Sequence, residues 1–290
     1  KEILPYLSEI PKHKILISHG YPGFVWQPVS KFPYGLASMV RRSFKALLMM
    51  RHLPSLDRVV YLSEHADLKG FYDHWLAKVF KYSGRRVIPN GIDPNKHGKN
   101  PAGFRRRFGI HNDSFIFLCV ANYSPRKDQA YAARAFRKAA IPNSRLVFIG
   151  SQLNEHAKKF IEMDRTNTKS GEQNQVLWLE KIDRETTLDA FEACDAFVLS
   201  ARHEAQPIAL LEAMRARKPW IARKSGCIHL MEGGICVRSV SSMVRAMRTV
   251  AEKPSFREKL AQEGRRAVEQ DYNQIINIQR YVDLVMEILN

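Results

Sequence analysis

The sequence predicts an α/β fold built on parallel sheet, and three observations carry that reading. Short β-rich runs recur along the 290 residues, stretches with helical apolar spacing lie between most of them, and several runs are apolar at every position. Strands that alternate with helices form βαβ units, which lay the strands parallel. A run such as Phe115-Ile116-Phe117-Leu118-Cys119-Val120, apolar without alternation, fits a sheet covered by helices on both faces rather than one facing water.

Strands are read at Lys14–Ser18, Val59–Ser63, Arg86–Pro89, Phe115–Ala121, Leu146–Gly150, Val176–Leu179, Ala196–Ser200 and Pro219–Ala222. Helical spacing fits Asp128–Ala140, Asn154–Asp164, Arg184–Cys194, Ile208–Arg217 and the amphipathic tail from Asn273 to Asn290. The turn formers Pro89-Asn90-Gly91-Ile92-Asp93-Pro94, followed by the polar stretch Asn95–Gly103, mark a boundary near residue 93. The chain therefore divides into a first region over 1–93 and a second over 94–272. The first contains about three strands, too few for a doubly wound domain of about six, so its remaining strands are expected to precede Lys1.

Composition sets the class. Apolar residues are 45% and charged residues 26% of the chain, the balance of a soluble globular protein. No segment approaches the roughly 20 apolar residues that span a bilayer. The cysteines Cys119, Cys194, Cys227 and Cys236 each lie in or beside an apolar run, which reads as buried thiols in a reducing, cytoplasmic setting. Neither Cys-x-x-Cys nor His-Glu-x-x-His occurs, so no metal site is expected. The net charge of +17 predicts attraction to anions: nucleic acid, anionic lipid or a phosphorylated substrate. Phe115, Phe117, Phe148, Trp178 and Phe197 sit inside apolar runs and read as core rather than as base-stacking platforms. With no docking motif either, specific nucleic-acid binding ranks last.

In open α/β sheets ligands bind beyond the carboxyl ends of the strands, which directs attention to Phe197-Val198-Leu199-Ser200-Ala201-Arg202-His203-Glu204-Ala205-Gln206-Pro207-Ile208-Ala209-Leu210-Leu211-Glu212-Ala213-Met214. A strand ends at Ser200, a short loop carries Glu204, and Pro207 stands where a first helical residue is favoured. The free N–H groups that open such a helix, at Ile208 and Ala209, together with its dipole, suit a phosphate. Glu212 lies one turn beyond Ile208 on the same face. Two carboxylates flanking an anion-binding terminus suit the hydroxyls of two sugars, although as isolated residues they read first as solvated surface charges.

This segment resembles the signature of the large retaining GT-B glycosyltransferases of the group 1, or family 4, type: two glutamates eight positions apart followed by Ala213-Met214. The resemblance implies that Glu204 contacts the donor sugar and that Glu212 binds the ribose hydroxyls. Val87-Ile88-Pro89-Asn90-Gly91-Ile92-Asp93 is similar to the family's interdomain junction, and Val120-Ala121-Asn122-Tyr123-Ser124-Pro125-Arg126-Lys127-Asp128 to its phosphate-binding strand and loop. Lys127 then matches the lysine that neutralises the donor pyrophosphate. Asn122 stands where an arginine is usual, with Arg126 as a substitute charge. His19, in Ser18-His19-Gly20-Tyr21-Pro22, resembles the histidine that faces the donor sugar from the acceptor domain. Arg217 and the pair Gly226-Cys227 replace family glycines, and Leu230 stands where an acidic residue is usual; these departures bear on donor preference and activity.

What the resemblance implies is a GT-B fold of two Rossmann-like domains, the N-terminal one incomplete, with the helix 273–290 packing back on the first. The donor substrate would be a nucleoside diphosphate sugar, with no cofactor and no metal, since Asp-x-Asp is missing. The acceptor would be a glycan, a lipid-linked sugar or another hydroxyl compound, as in polysaccharide biosynthesis. Transfer would proceed on one face of the sugar through an oxocarbenium-like state, with the protein positioning reactants and stabilising the leaving group. The alternative is a nucleotide-sugar-binding protein without transfer activity. Finally, Met39–Leu53 places Arg41, Arg42, Lys45 and Arg51 among Met39, Val40, Phe44, Leu47, Leu48, Met49 and Met50. Two readings of it stay open, a helix covering its own sheet and an interfacial helix at an anionic membrane surface.

Overall fold

The structure, a computed structural model, describes residues 13–19, 40, 44, 47, 51, 53–67, 71–166 and 175–290. It divides into two units, one comprising Lys1–Gly91, Glu204–Gln206 and Gln274–Asn290, the other Ile92–His203 and Pro207–Asn273.

In the first unit three parallel strands, β1 (Ile15–Ser18), β2 (Arg58–Tyr61) and β3 (Arg85–Val87), lie side by side in sequence order. Val59, Val60 and Tyr61 are β-branched or aromatic, which suits the central strand, and all three are buried. Leu53, Leu56, Val59, Tyr61 and Ala77 form one core, the last from helix α1 (Tyr72–Val79). Of the segment 39–53 the structure describes Val40, Phe44, Leu47 and Arg51 as helical, together with Leu53; the apolar three are exposed by 58%, 61% and 55%, so at these positions the helix does not cover its own sheet. Arg41, Arg42 and Lys45 lie outside the described residues.

The second unit is a six-stranded parallel sheet of β4 (Phe115–Val120), β5 (Ser144–Gly150), β6 (Val176–Glu180), β7 (Ala196–Leu199), β8 (Trp220–Arg223) and β9 (Gly234–Val237), in the order β6-β5-β4-β7-β8-β9. Numbered within the unit this is 3-2-1-4-5-6, the doubly wound order, and its direction reverses between β4 and β7. Helices α2 (Pro101–Arg107), α5 (Arg184–Ala193), α6 (Ile208–Arg215) and α8 (Pro254–Gln270) pack on one face. Helices α3 (Gln129–Ala139), α4 (Glu155–Thr166) and α7 (Val240–Glu252) pack on the other. Burial on both faces is why Ile116, Phe117, Leu118 and Cys119 are all apolar.

Several sequence readings change. The polar stretch after residue 93 includes a helix from Pro101, with Asn100 as its cap: the Asn100 side chain accepts from the Gly103 N–H at 2.9 Å. Strand β9 carries no long β-rich run, and it begins at Gly234 because a Cβ there would stand 2.0 Å from the Trp220 ring. Cys236 is only half-buried, whereas Cys119, Cys194 and Cys227 are buried, and none of the four is in a disulfide.

The C-terminal helix α9 (Gln274–Leu289) belongs to the first unit, and of the apolar spacing that the sequence offers for docking, Ile275, Ile278, Val282, Val285 and Ile288, only Ile288 lies on the buried face. Ile275, Ile278, Val282 and Val285 are exposed, whereas Leu284 packs on Val60 and Ile88 with Tyr281 and Ile288 beside it. Asn277 continues the docked stripe by donating to the Pro89 carbonyl at 3.0 Å. Apolar residues occupy two stripes of this helix, and the stripe that docks holds a polar residue whose partner the sequence does not reveal. Gly91 allows the approach, because a Cβ there would meet the Gln274 backbone at 2.7 Å. Truncating the docked side chain, Leu284→Ala, should cost about 2–5 kcal/mol of stability, while Val285→Ala on the exposed stripe should stay within about 0.5 kcal/mol. Chemical denaturation of the two variants checks this, and similar losses at both positions would contradict the docking face.

Candidate functional site

The switch point of the second sheet gathers the most chemistry. β4 and β7 are neighbours, so the loop leaving β4 and the loop leaving β7 emerge side by side. The β4 loop, Asn122–Asp128, is fixed from several directions. Gln129 donates through Nε2 to the Asn122 carbonyl at 3.0 Å, and the Arg202 N–H donates to the Arg126 carbonyl at 2.9 Å. Ser200, fully buried, donates through Oγ to the Lys127 carbonyl at 3.0 Å. Ser200 is thus a brace for the lysine-bearing loop.

Asp128 completes the fixation. It is buried at the N-cap of α3 with φ 48°, a left-handed conformation that Asp tolerates better than most residues, and its carboxylate makes no capping bond. Instead its Oδ2 accepts from Arg202 Nε at 2.8 Å and from Arg223 Nη1 at 3.0 Å. The Arg223 guanidinium also lies 4.7 Å from the centre of the Tyr131 ring. Three neighbouring strand ends, those of β4, β7 and β8, are therefore tied through one carboxylate. Sequence reasoning missed Arg202 and Arg223 as site residues; the available signal was a basic residue at or shortly after the carboxyl end of β7 and of β8.

Helix α6 begins at Ile208, so Pro207 is its N-cap rather than its first helical residue, with φ −75° and ψ 121°. The Pro207 carbonyl accepts from the Leu210 N–H at 3.1 Å. That leaves the N–H groups of Ile208 and Ala209 as the orphan donors of the first turn. Ile208 is exposed and Ala209 half-buried. On the same helix Glu212 is buried, and its Oε1 accepts a charge-assisted hydrogen bond from Arg184 at the start of α5. A carboxylate has further lone pairs for hydroxyl donors. One turn on, Arg215 is buried with Nε and Nη2 lacking hydrogen-bond partners among the described residues, and burial lowers its pKa while the Glu212 charge opposes that shift.

Asn122 and Arg126 are exposed and Lys127 is half-buried. Tyr123 is buried and donates to the Leu179 carbonyl at 2.7 Å, and burial raises its pKa so that it stays protonated. A cavity of about 240 Å³ lies beside this loop, walled by Tyr123, Phe160 and Trp178 with Asp128, Arg134 and Arg202 among its polar lining. It belongs to the face of α3 and α4, not to that of α6.

Glu204 and His19 fall in the first unit. Glu204 is half-buried in the loop whose Gln206 side chain accepts from the Asn90 N–H at 2.6 Å. His19 is exposed and follows the end of β1, where the Ser18 hydroxyl donates to the buried Asp73 carboxylate. Nearby, His74 is fully buried and stacked on Tyr61, and burial pushes its pKa down to about 4, so it is neutral at physiological pH.

The sequence of residues 103–267, more than half of the chain, matches the family model described as glycosyl transferases group 1. The chain belongs to that family. It is 30% identical over 142 residues to the Escherichia coli UDP-Gal:alpha-D-GlcNAc-diphosphoundecaprenol alpha-1,3-galactosyltransferase, covering 47% of this chain and 35% of that protein. It is 23% identical over 214 residues to trehalose synthase of Pyrococcus horikoshii, covering 69% of this chain and 52% of that protein. The chain thus spans about a third to a half of these curated relatives. Among solved structures it resembles sucrose-phosphate synthase of Thermosynechococcus elongatus, with a TM-score of 0.77 at 17% identity over 98% of this chain and 70% of that one. It also resembles the Anabaena protein HepE in complex with UDP-glucose, with a TM-score of 0.70 at 16% identity over 95% of this chain and 72% of that one. The fold is α/β of the GT-B class, as the resemblance implied. The group 1 match spans β4 to α8 and so includes Asn122, Arg126, Lys127, Ser200, Glu204, Pro207, Ile208, Ala209 and Glu212, while His19 lies outside it.

Proposed function

We propose that this group 1 family member is the nucleotide-sugar-binding part, with an acceptor-side unit, of a retaining and metal-independent glycosyltransferase. Its donor is a nucleoside diphosphate sugar and its acceptor a hydroxyl on a glycan or lipid-linked sugar, as in polysaccharide biosynthesis. The observation that carries the reading is the pairing at the switch point of the second sheet, where a lysine-bearing loop and the open N-terminus of α6 leave two adjacent strands. A leaving pyrophosphate needs a fixed cation and fixed N–H donors, and Lys127 with the Ile208 and Ala209 N–H groups supplies both kinds.

In this reading Glu212 accepts from the ribose hydroxyls beside its Arg184 partner, and Glu204 and His19 meet the transferred sugar. Catalysis consists of positioning and of stabilising the leaving phosphate, without a protein nucleophile. UDP sugars are the first donors to try, since the E. coli galactosyltransferase is named for UDP-Gal and the HepE structure is a complex with UDP-glucose. The exposed apolar Val40, Phe44 and Leu47, on a segment that also contains Arg41, Arg42 and Lys45, favour a lipid-linked acceptor at an anionic membrane surface.

The assignment of the two glutamates separates binding from transfer. Glu212→Ala should weaken nucleoside diphosphate binding about 10- to 100-fold, the loss expected for hydrogen bonds to a charged group. Glu204→Ala should leave that affinity within about threefold and lower the transfer rate about 100-fold. Calorimetry with UDP, GDP and ADP, together with turnover of the matching donor sugar and NMR assignment of the product anomer, measures all three. Equal losses of nucleotide affinity would sink the distinction, an inverted anomer would refute the retaining mechanism, and donor binding with neither transfer nor hydrolysis would leave a nucleotide-sugar-binding protein.

The membrane reading has its own test. Co-sedimentation with liposomes should rise with anionic lipid content and fall with salt. Binding should drop when Val40, Phe44 and Leu47 are changed to Ser. Wild-type protein that stays in the supernatant, or a variant that binds equally well, would dismiss it.

A further inference from the structure

The resemblance to the family implies an arginine where this chain has Asn122, an exposed, uncharged amide whose backbone carbonyl accepts from Gln129. A pyrophosphate carries two to three negative charges, so Lys127 alone is a thin complement for it. The missing charge has to come from another strand end or not at all.

The ends of β7 and β8 provide it. Arg202 follows β7, the strand next to β4, and Arg223 ends β8, the strand beyond it, and both reach the same Oδ2 of Asp128, at 2.8 Å and 3.0 Å. One carboxylate facing two guanidinium groups leaves a surplus of positive charge. Arg223 is the better placed of the two. Its side chain is 30% exposed against 57% for Arg202, and it rests on the Tyr131 ring, which limits its freedom. A guanidinium held at one edge by a carboxylate still offers donors at its other edge, and its planar fork suits two phosphate oxygens.

We infer that Arg223, seconded by Arg202, binds the donor phosphates in place of the arginine that this chain lacks at Asn122, and that Asp128 is the positioning residue for both. The inference rests on the donor reading proposed above. The charge has moved from the strand end of β4 to that of β8, while the buried carboxylate keeps the two arginines from folding into solvent.

Calorimetric titrations of the full chain test this with whichever of UDP, GDP and ADP the wild type binds most tightly, with the corresponding nucleoside monophosphate, and with inorganic pyrophosphate. Arg223→Gln should weaken the diphosphate and pyrophosphate about 10- to 100-fold, and the monophosphate less. Adding Asn122→Arg to that variant should restore much of the loss, which a residue acting only through packing would not allow. Retention of the wild-type melting temperature in Arg223→Gln shows that the fold survives; if it falls, Arg223→Lys, which keeps the charge but not the fork, should retain the fold and still bind more weakly. Wild-type affinity in a folded Arg223→Gln protein overturns this inference alone, as does a loss that Asn122→Arg leaves unrepaired. Absence of binding by wild type to every diphosphate and to pyrophosphate overturns the donor reading and this inference together.

Discussion

Asp128 holds the second unit's site together. It stands at the start of α3 with a left-handed backbone and gives up the capping bond that an Asp in that position usually makes, worth about 1 kcal/mol. Its carboxylate is instead engaged by arginines from two other strand ends. A buried carboxylate without partners would be costly, and with two it becomes a joint between β4, β7 and β8. Because the joint immediately follows Lys127, the lysine's backbone is fixed by it, and the Ser200 hydroxyl on the Lys127 carbonyl fixes it a second time.

The joint works only because of the strand order. In a sheet ordered β6-β5-β4-β7-β8-β9 the connections from β4 and β7 turn to opposite faces, α3 to one and α6 to the other. The loops part at the carboxyl ends of these strands and leave room for a ligand there. The same divergence explains why Glu212 and the Trp178-lined cavity lie on different faces although both adjoin the switch point. Each face supplies its own contacts, and the β4 loop is common to both.

Much of this was legible in the sequence because it depends on local pattern. The unbroken apolar run Phe115–Val120 reports burial on both faces, and the Glu204 to Glu212 spacing with Ala213-Met214 points to the loop and helix after β7. What escaped depends on partners distant in sequence. Arg223 reads as the residue after an ordinary strand until Asp128, 95 residues earlier, is seen to accept from it. The face of α9 could not be chosen, because its docked stripe includes Asn277, whose partner is the Pro89 carbonyl. Strand β9 is four residues long and starts with a glycine required by the Trp220 ring, so it has neither length nor β-branched density to announce itself. Pro207 shifted by one position because a proline fits both the cap and the first turn, and only the backbone angles separate the two.

The central claim is that the β4 loop and the N-terminus of α6 together form a nucleoside diphosphate site. Backbone amide NMR of the isotope-labelled protein, titrated with UDP, GDP and ADP, tests it most directly, because it reports where an anion meets N–H groups. At least one of the three should shift the amides of Ser124–Asp128 and of Ile208 and Ala209 most strongly, and inorganic phosphate should shift the same set more weakly. Shifts confined to the surroundings of Trp178 and Phe160, or no saturable shift with any of the three, would contradict the account.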